Sequence, residues 1–140
     1  MDLDLNTRSV DADGSRLAYQ VVNPSGDDHV VWFQEVNQHL DLFWTDDSIV
    51  GRMSRLSPGG GASILLQERG VGLSEPVERK ATVDEQAADV LAVMDAEGVG
   101  RATLVGLAGA ALAVALVAAR HPERAGNAAQ KRRFGKQASN

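Results

Sequence analysis

The place in this chain where a nucleophile would be expected holds a methyl group. Residues Thr103-Leu104-Val105-Gly106-Leu107-Ala108-Gly109-Ala110-Ala111 follow the layout G-x-S-x-G, in which a sharp strand-to-helix turn lifts a serine hydroxyl above a sheet. Ala108 stands where that serine would be. A methyl group has no proton to give up and no lone pair to attack a carbonyl, so the usual covalent route is closed. The free backbone N–H groups opening the next helix can still hold an anion. The loss of the hydroxyl therefore does not by itself exclude binding without turnover.

No other residue set offers a stronger chemistry. The three histidines, His29, His39 and His121, show no i, i+4 metal spacing, and the chain has no cysteine. No metal site and no cofactor is expected, and disulfides and a cysteine nucleophile are excluded. His121 before Pro122 reads as a helix-end residue. Arg69-Gly70-Val71-Gly72 lacks the lysine of a phosphate-binding loop and the full dinucleotide fingerprint, and is read as a tight turn. Glu35, Glu68 and Glu75 could activate water only if a fixed geometry joined them, and they are read as solvated loop charges. Asp46 and Asp47 suit a helix amino end. Lys131-Arg132-Arg133 with Lys136 forms a short basic run, read as a solvated terminus.

The elements that must position the glycine turn follow from patterning. Strands are expected over 3–10 and 16–22, joined at Asp13-Gly14 as an antiparallel hairpin. His29-Val30-Val31-Trp32-Phe33 and Ser63-Ile64-Leu65-Leu66 are continuous apolar runs, as in strands covered on both faces. A helix is expected near 45–57. Another is expected over 83–97, capped by Thr82 with Glu85 three residues on and ended by Gly98. In that helix Val83, Ala87, Val90, Leu91 and Met94 share one face. A strand at 102–106 and a helix at 109–120 complete the pattern. Strands alternating with helices after a hairpin imply an α/β fold with a largely parallel sheet. The segment 125–140 is polar and aperiodic and is expected to be disordered. The domain is accordingly drawn as 1–124.

Bulk properties agree with an ordinary soluble domain of 140 residues. Charged residues make up 24% and hydrophobic residues 44%, and the formal net charge of −5 speaks against nucleic acid as a partner. The start, Met1-Asp2-Leu3-Asp4-Leu5-Asn6, has neither the basic nor the apolar region of a secretory signal, so a cytoplasmic location is expected. Residues 102–119 carry no charge and lie between Arg101 and Arg120. They sit at the lower length limit of a membrane-spanning helix, the alternative to a buried strand and helix.

Several strings, taken in order, resemble the α/β-hydrolase fold family, and most closely the subgroup found beside adenylate/guanylate cyclase domains. They are Asp13-Gly14-Ser15-Arg16-Leu17-Ala18-Tyr19-Gln20-Val21-Val22, His39-Leu40-Asp41-Leu42-Phe43-Trp44 and Arg69-Gly70-Val71-Gly72-Leu73-Ser74. Val93-Met94-Asp95-Ala96-Glu97-Gly98 and Arg120-His121-Pro122-Glu123-Arg124 follow. The resemblance covers about residues 10–124 and implies the N-terminal part of that fold: an antiparallel hairpin, then parallel strands with flanking helices. It places the nucleophile at Ala108 and the oxyanion hole at Gly109 and the loop Gln34-Glu35-Val36, where the family has His-Gly or Pro-Gly. A carboxylate at Glu35 would oppose a developing oxyanion. Gln67 replaces an aspartate, and Phe43 and Trp44 would line the cleft. No acid or histidine of a triad has a counterpart in 125–140.

The implied function is a truncated relative of ester-type serine hydrolases without activity. The alternative is a small-molecule binding or regulatory module using the remnant pocket at Glu35, Val36, Gly109, Phe43 and Trp44. An unpaired sheet edge would favour self-association or a complementing chain.

Overall fold

Asp13 and Gly14 turn the chain with both residues at positive φ, 53° and 84°, the backbone that suits the twist of a two-residue hairpin. The Asp11 carboxylate accepts from the Gly14 N–H at 2.9 Å and steadies the turn. The computed structural model describes residues 7–22, 28–34, 62–71, 73–74 and 76–126. The hairpin strands are β1 (Thr7–Ala12) and β2 (Ser15–Val22). They are followed by β3 (His29–Gln34), β4 (Ala62–Gln67), helix α1 (Val83–Ala96), β5 (Thr103–Leu107), helix α2 (Ala110–Arg120) and a 3₁₀ turn, Pro122–Arg124. The sheet runs β1-β2-β4-β3-β5. β2 pairs antiparallel with β1 and β4, whereas β3 pairs parallel with both β4 and β5. The α/β arrangement is the one that the alternation of elements implies, but the sheet is mixed rather than largely parallel, with two antiparallel and two parallel strand pairs among the described residues.

Side-chain alternation builds a core on each face of the sheet. Leu17, Tyr19, Val31, Phe33, Ile64, Leu66 and Leu104 face one way and pack with Ala87, Val90, Val93 and Met94 of α1 and Ala110, Ala113, Val114 and Val117 of α2. Ala18, Val22, Val30, Trp32, Leu65 and Val105 form the second cluster, with Leu73 against it. The first strand extends past the expected end at Val10 to take in Asp11 and Ala12, and residues 3–6 lie outside the described residues.

Helix α1 begins as its sequence dictates. The Thr82 hydroxyl accepts from the Glu85 N–H at 3.1 Å, and Glu85 accepts from the Thr82 N–H at 2.9 Å. It ends at Gly98, whose φ of 67° allows its N–H to reach the Asp95 carbonyl and the Val99 N–H to reach that of Met94. Those two bonds satisfy carbonyls the last turn leaves free.

The membrane-spanning alternative is overturned in favour of the buried strand and helix. The apolar stretch 102–119 is divided between β5 and the 11-residue α2, and no helix among the described residues is long and apolar enough to cross a membrane. The described residues continue past 124 to Gly126. Ala125 forms a parallel bridge with Ala102, Ala102 donates to the Arg124 carbonyl at 3.0 Å, and Gly126 donates to Ala102 at 2.6 Å. Arg124 adds hydrogen bonds to the carbonyls of Gly100 and Val99 and to Asp95. The chain past α2 is thus fixed to the strand that feeds the elbow, at least as far as Gly126. The expected helix near 45–57 and the segment from 127 onward lie outside the described residues.

Tyr19 is the sole tyrosine of the chain. It is buried and donates to Glu97 at 2.6 Å, while Arg8 donates to the other oxygen of Glu97 at 2.7 Å. Burial, then the hydrogen bond and the charge of Glu97, push the phenol from 10.0 up to about 12. The fold therefore favours the neutral phenol. Its contribution to stability is whole below pH 10.0, the unfolded value, and is lost as pH rises through about 12. A phenolate absorbance titration of the native protein should show a single step near the upper value. A step at the ordinary tyrosine pKa would contradict the Tyr19–Glu97 contact.

Candidate active-site elbow

β5 ends at Leu107 and α2 begins at Ala110, so the reversal from strand to helix is made by Ala108 and Gly109 alone. Ala108 takes φ +57° and is exposed. An L-residue in that left-handed region costs roughly 1–2 kcal/mol. The local sequence offers glycines at 106 and 109, yet the strain falls on the alanine between them. The Ala108 and Gly109 carbonyls accept from Ala111 and Leu112, both at 3.1 Å, which winds the first turn of α2 tightly.

The turn is held from below by Gly106. A Cβ built there would lie 2.5 Å from Val114 Cγ2, 2.6 Å from Ala111 Cα and 2.8 Å from the Ala110 carbonyl oxygen. Only a glycine lets α2 approach β5 this closely, and Ala110, Ala113 and Val114 are fully buried in the contact. The turn thus combines a strained residue, a glycine seat and a small-residue helix, and Ala108 at its apex carries only a methyl group. Gly109 caps α2 with no side-chain hydrogen bond, so the first helical N–H groups have no side-chain cap. Replacing Ala108 with Gly should raise stability by about 1 kcal/mol, because glycine adopts φ +57° without the Cβ penalty. Chemical denaturation would check this. A loss of stability would mean that the alanine methyl makes a contact worth more than the strain.

Of the expected site residues, Gly109 lies at the elbow. Glu35, Val36, Phe43 and Trp44 are outside the described residues. His29 opens β3, level with the start of β5 and thus at the far end of that strand from the elbow. His121 follows the last turn of α2. Among the described residues no histidine stands at the elbow, and no group of acidic or imidazole side chains is arranged to hold a metal ion.

The glycine loop after β4 is tied down rather than poised for phosphate. Gly70 has φ +79°, and the Ser74 hydroxyl donates to the Gln67 carbonyl while accepting from the Ala18 N–H, each at 2.9 Å. The Gln67 side-chain oxygen accepts from the Leu73 N–H at 3.0 Å. Glu68 is not a solvated loop charge, contrary to expectation. It is 9% exposed and accepts from Gln86 at 3.2 Å. The sequence reasoning also missed Arg69 and Asp89, which form a two-point pair at 2.8 and 2.7 Å with the Asp89 side chain 2% exposed. Loss of solvent pushes the Asp89 carboxyl up, and the guanidinium hydrogen bonds oppose that push. Asp89 lies off the stripe of Val83, Ala87, Val90, Leu91 and Met94, so helical spacing carries no signal of its burial.

No protein-family model and no curated protein matches the chain. Solved structures do. Epoxide hydrolase A from Mycobacterium thermoresistibile is 24% identical with a TM-score of 0.70, over 86% of this chain and 36% of that one. The enol-lactonase from Burkholderia xenovorans LB400 is 24% identical with a TM-score of 0.67, over 84% of this chain and 44% of that one. An alpha/beta hydrolase fold protein from Chitinophaga pinensis is 24% identical with a TM-score of 0.64, over 85% of this chain and 41% of that one. The chain thus has part of an α/β-hydrolase fold, and spans less than half the length of these three chains.

Proposed function

We propose that this part of an α/β-hydrolase fold keeps the elbow as a binding scaffold and carries out no serine-type ester hydrolysis there. The observation that carries the reading is Ala108 at φ +57°, exposed at the turn. The strained backbone that presents a nucleophile is maintained with nothing to present. Strain of this kind persists only where the surrounding packing enforces it, and Gly106 with α2 supplies that packing. In this reading Gly109, Glu35, Val36, Phe43 and Trp44 line the remnant pocket, and its occupant is a small acid or ester that engages backbone N–H groups. The relationship to the subgroup found beside cyclase domains belongs to the same proposal.

The test pairs two assays on the purified chain. No turnover of activated esters and no labelling by a serine-directed phosphonate are expected, together with a thermal shift in a screen of small acids and esters. Stoichiometric phosphonate labelling of any serine near the elbow would overturn the loss of activity. A flat screen at high ligand concentration would overturn the binding role, since a ligand of the native state raises apparent stability.

A further inference from the structure

A cavity of about 500 Å³ lies at the amino end of α1, and its lining includes Ser15, Arg69, Val77, Glu78, Arg79 and Glu85. The Arg69 side chain is only 9% exposed. Asp89 holds its Nε and Nη2, and Nη2 also donates to the Ala12 carbonyl at 3.3 Å. Its Nη1 is 3.8 Å from Glu85 Oε2, beyond hydrogen-bonding distance. Glu85 is held elsewhere: Arg79 donates to both its oxygens, at 2.8 and 2.9 Å, and the Thr82 N–H donates to one of them. Those bonds pull the Glu85 carboxyl down to about 2, so it stays ionised and committed to Arg79. Among the described residues Nη1 therefore makes no hydrogen bond and faces Glu85 only at ion-pair distance, so it is a donor open to solvent or to an acceptor that enters the cavity.

The rest of the lining limits what that acceptor belongs to. Among the described residues the cavity wall carries two arginines and two glutamates, so it has no net charge and does not select a bare anion. Glu78 is exposed at the wall and supplies a carboxylate, Ser15 supplies a hydroxyl, and Val77 supplies an apolar surface. Donor and acceptor groups facing one small apolar wall match a molecule that bears both charges.

We propose that this cavity binds a small zwitterion of the α-amino acid class. Its carboxylate sits on Arg69 Nη1 and the Ser15 hydroxyl, its ammonium on Glu78, and its short side chain against Val77. The site is separate from the elbow and does not depend on what the elbow binds.

The experiment is calorimetric titration of the full chain with L-alanine, with acetate as a probe carrying the negative charge alone, repeated on Glu78→Gln. Glu78 is exposed and makes no core contact, so this variant tests the site without threatening the fold. Saturable binding of L-alanine is expected, weakened about tenfold or more for acetate and for Glu78→Gln, as the loss of a charge-assisted contact implies. No saturable heat with L-alanine would overturn the proposal. Equal binding of acetate, or unchanged binding in the variant, would overturn it as well, since either would mean an anion site only.

Discussion

Gly106→Ala should be among the most damaging single-methyl substitutions in this chain, at about 3 kcal/mol or more of lost stability, the upper end for overpacking a close contact. The new methyl would stand 2.5 Å from Val114 Cγ2, 2.6 Å from Ala111 Cα and 2.8 Å from the Ala110 carbonyl oxygen. The last two neighbours are backbone atoms, which no change of rotamer can move. Helix α2 would have to lift from β5 and open the contact made by Ala110, Ala113 and Val114, all fully buried. Gly98→Ala is the matched control: φ is +67° there, yet nothing lies within 4 Å of the added methyl. It should cost only the left-handed penalty of roughly 1–2 kcal/mol. Urea midpoints with unchanged slope would give both values. If the two variants proved equal, close packing under the elbow would not be what Gly106 provides. Because the same movement displaces the Ala108–Gly109 turn, ligand stabilisation at the elbow should be weakened in Gly106→Ala and retained in Gly98→Ala.

The elbow was legible in the sequence because its parts are local. A glycine two residues before the turn, an apolar strand ahead and an alanine-rich helix behind are adjacent in the chain, and each has one dominant physical use. The same holds for the Thr82–Glu85 cap, the Asp13-Gly14 turn and the Gly98 stop, all of which depend on neighbours within four residues. What the sequence hid depends on distant partners. Asp89 and Arg69 are 20 residues apart, Tyr19 and Glu97 are 78 apart, and neither pairing follows from spacing. Glu68 was misjudged for the same reason, since its partner Gln86 lies across a loop and a helix turn. Nothing in the neighbourhood of Ala125 announces its bridge to Ala102. Strand order was likewise invisible to pattern reading: β4 lies between β2 and β3 although it follows both.

Asp89→Ala should destabilise the protein by about 3–5 kcal/mol, the range for removing one partner of a buried ion pair. The Asp89 side chain is 2% exposed and that of Arg69 is 9% exposed, so the guanidinium regains little solvation when the carboxylate is removed. The stranded guanidinium would keep Glu85 at 3.8 Å as its nearest anion, and Arg79 already holds that carboxylate. The damage should spread beyond α1, because Arg69 also donates to the Ala12 carbonyl at the end of β1. One side chain thus links the first hairpin, the loop after β4 and the middle of α1. Replacing both partners, Arg69→Met with Asp89→Leu, should restore most of the loss, since two apolar side chains leave no uncompensated charge. The coupling energy of the double-mutant cycle measures this directly. Additive losses would show that the two residues act separately. A rescued double variant that fails to bind L-alanine would also distinguish the two roles of Arg69, its structural pairing through Nε and Nη2 and its proposed contact through Nη1.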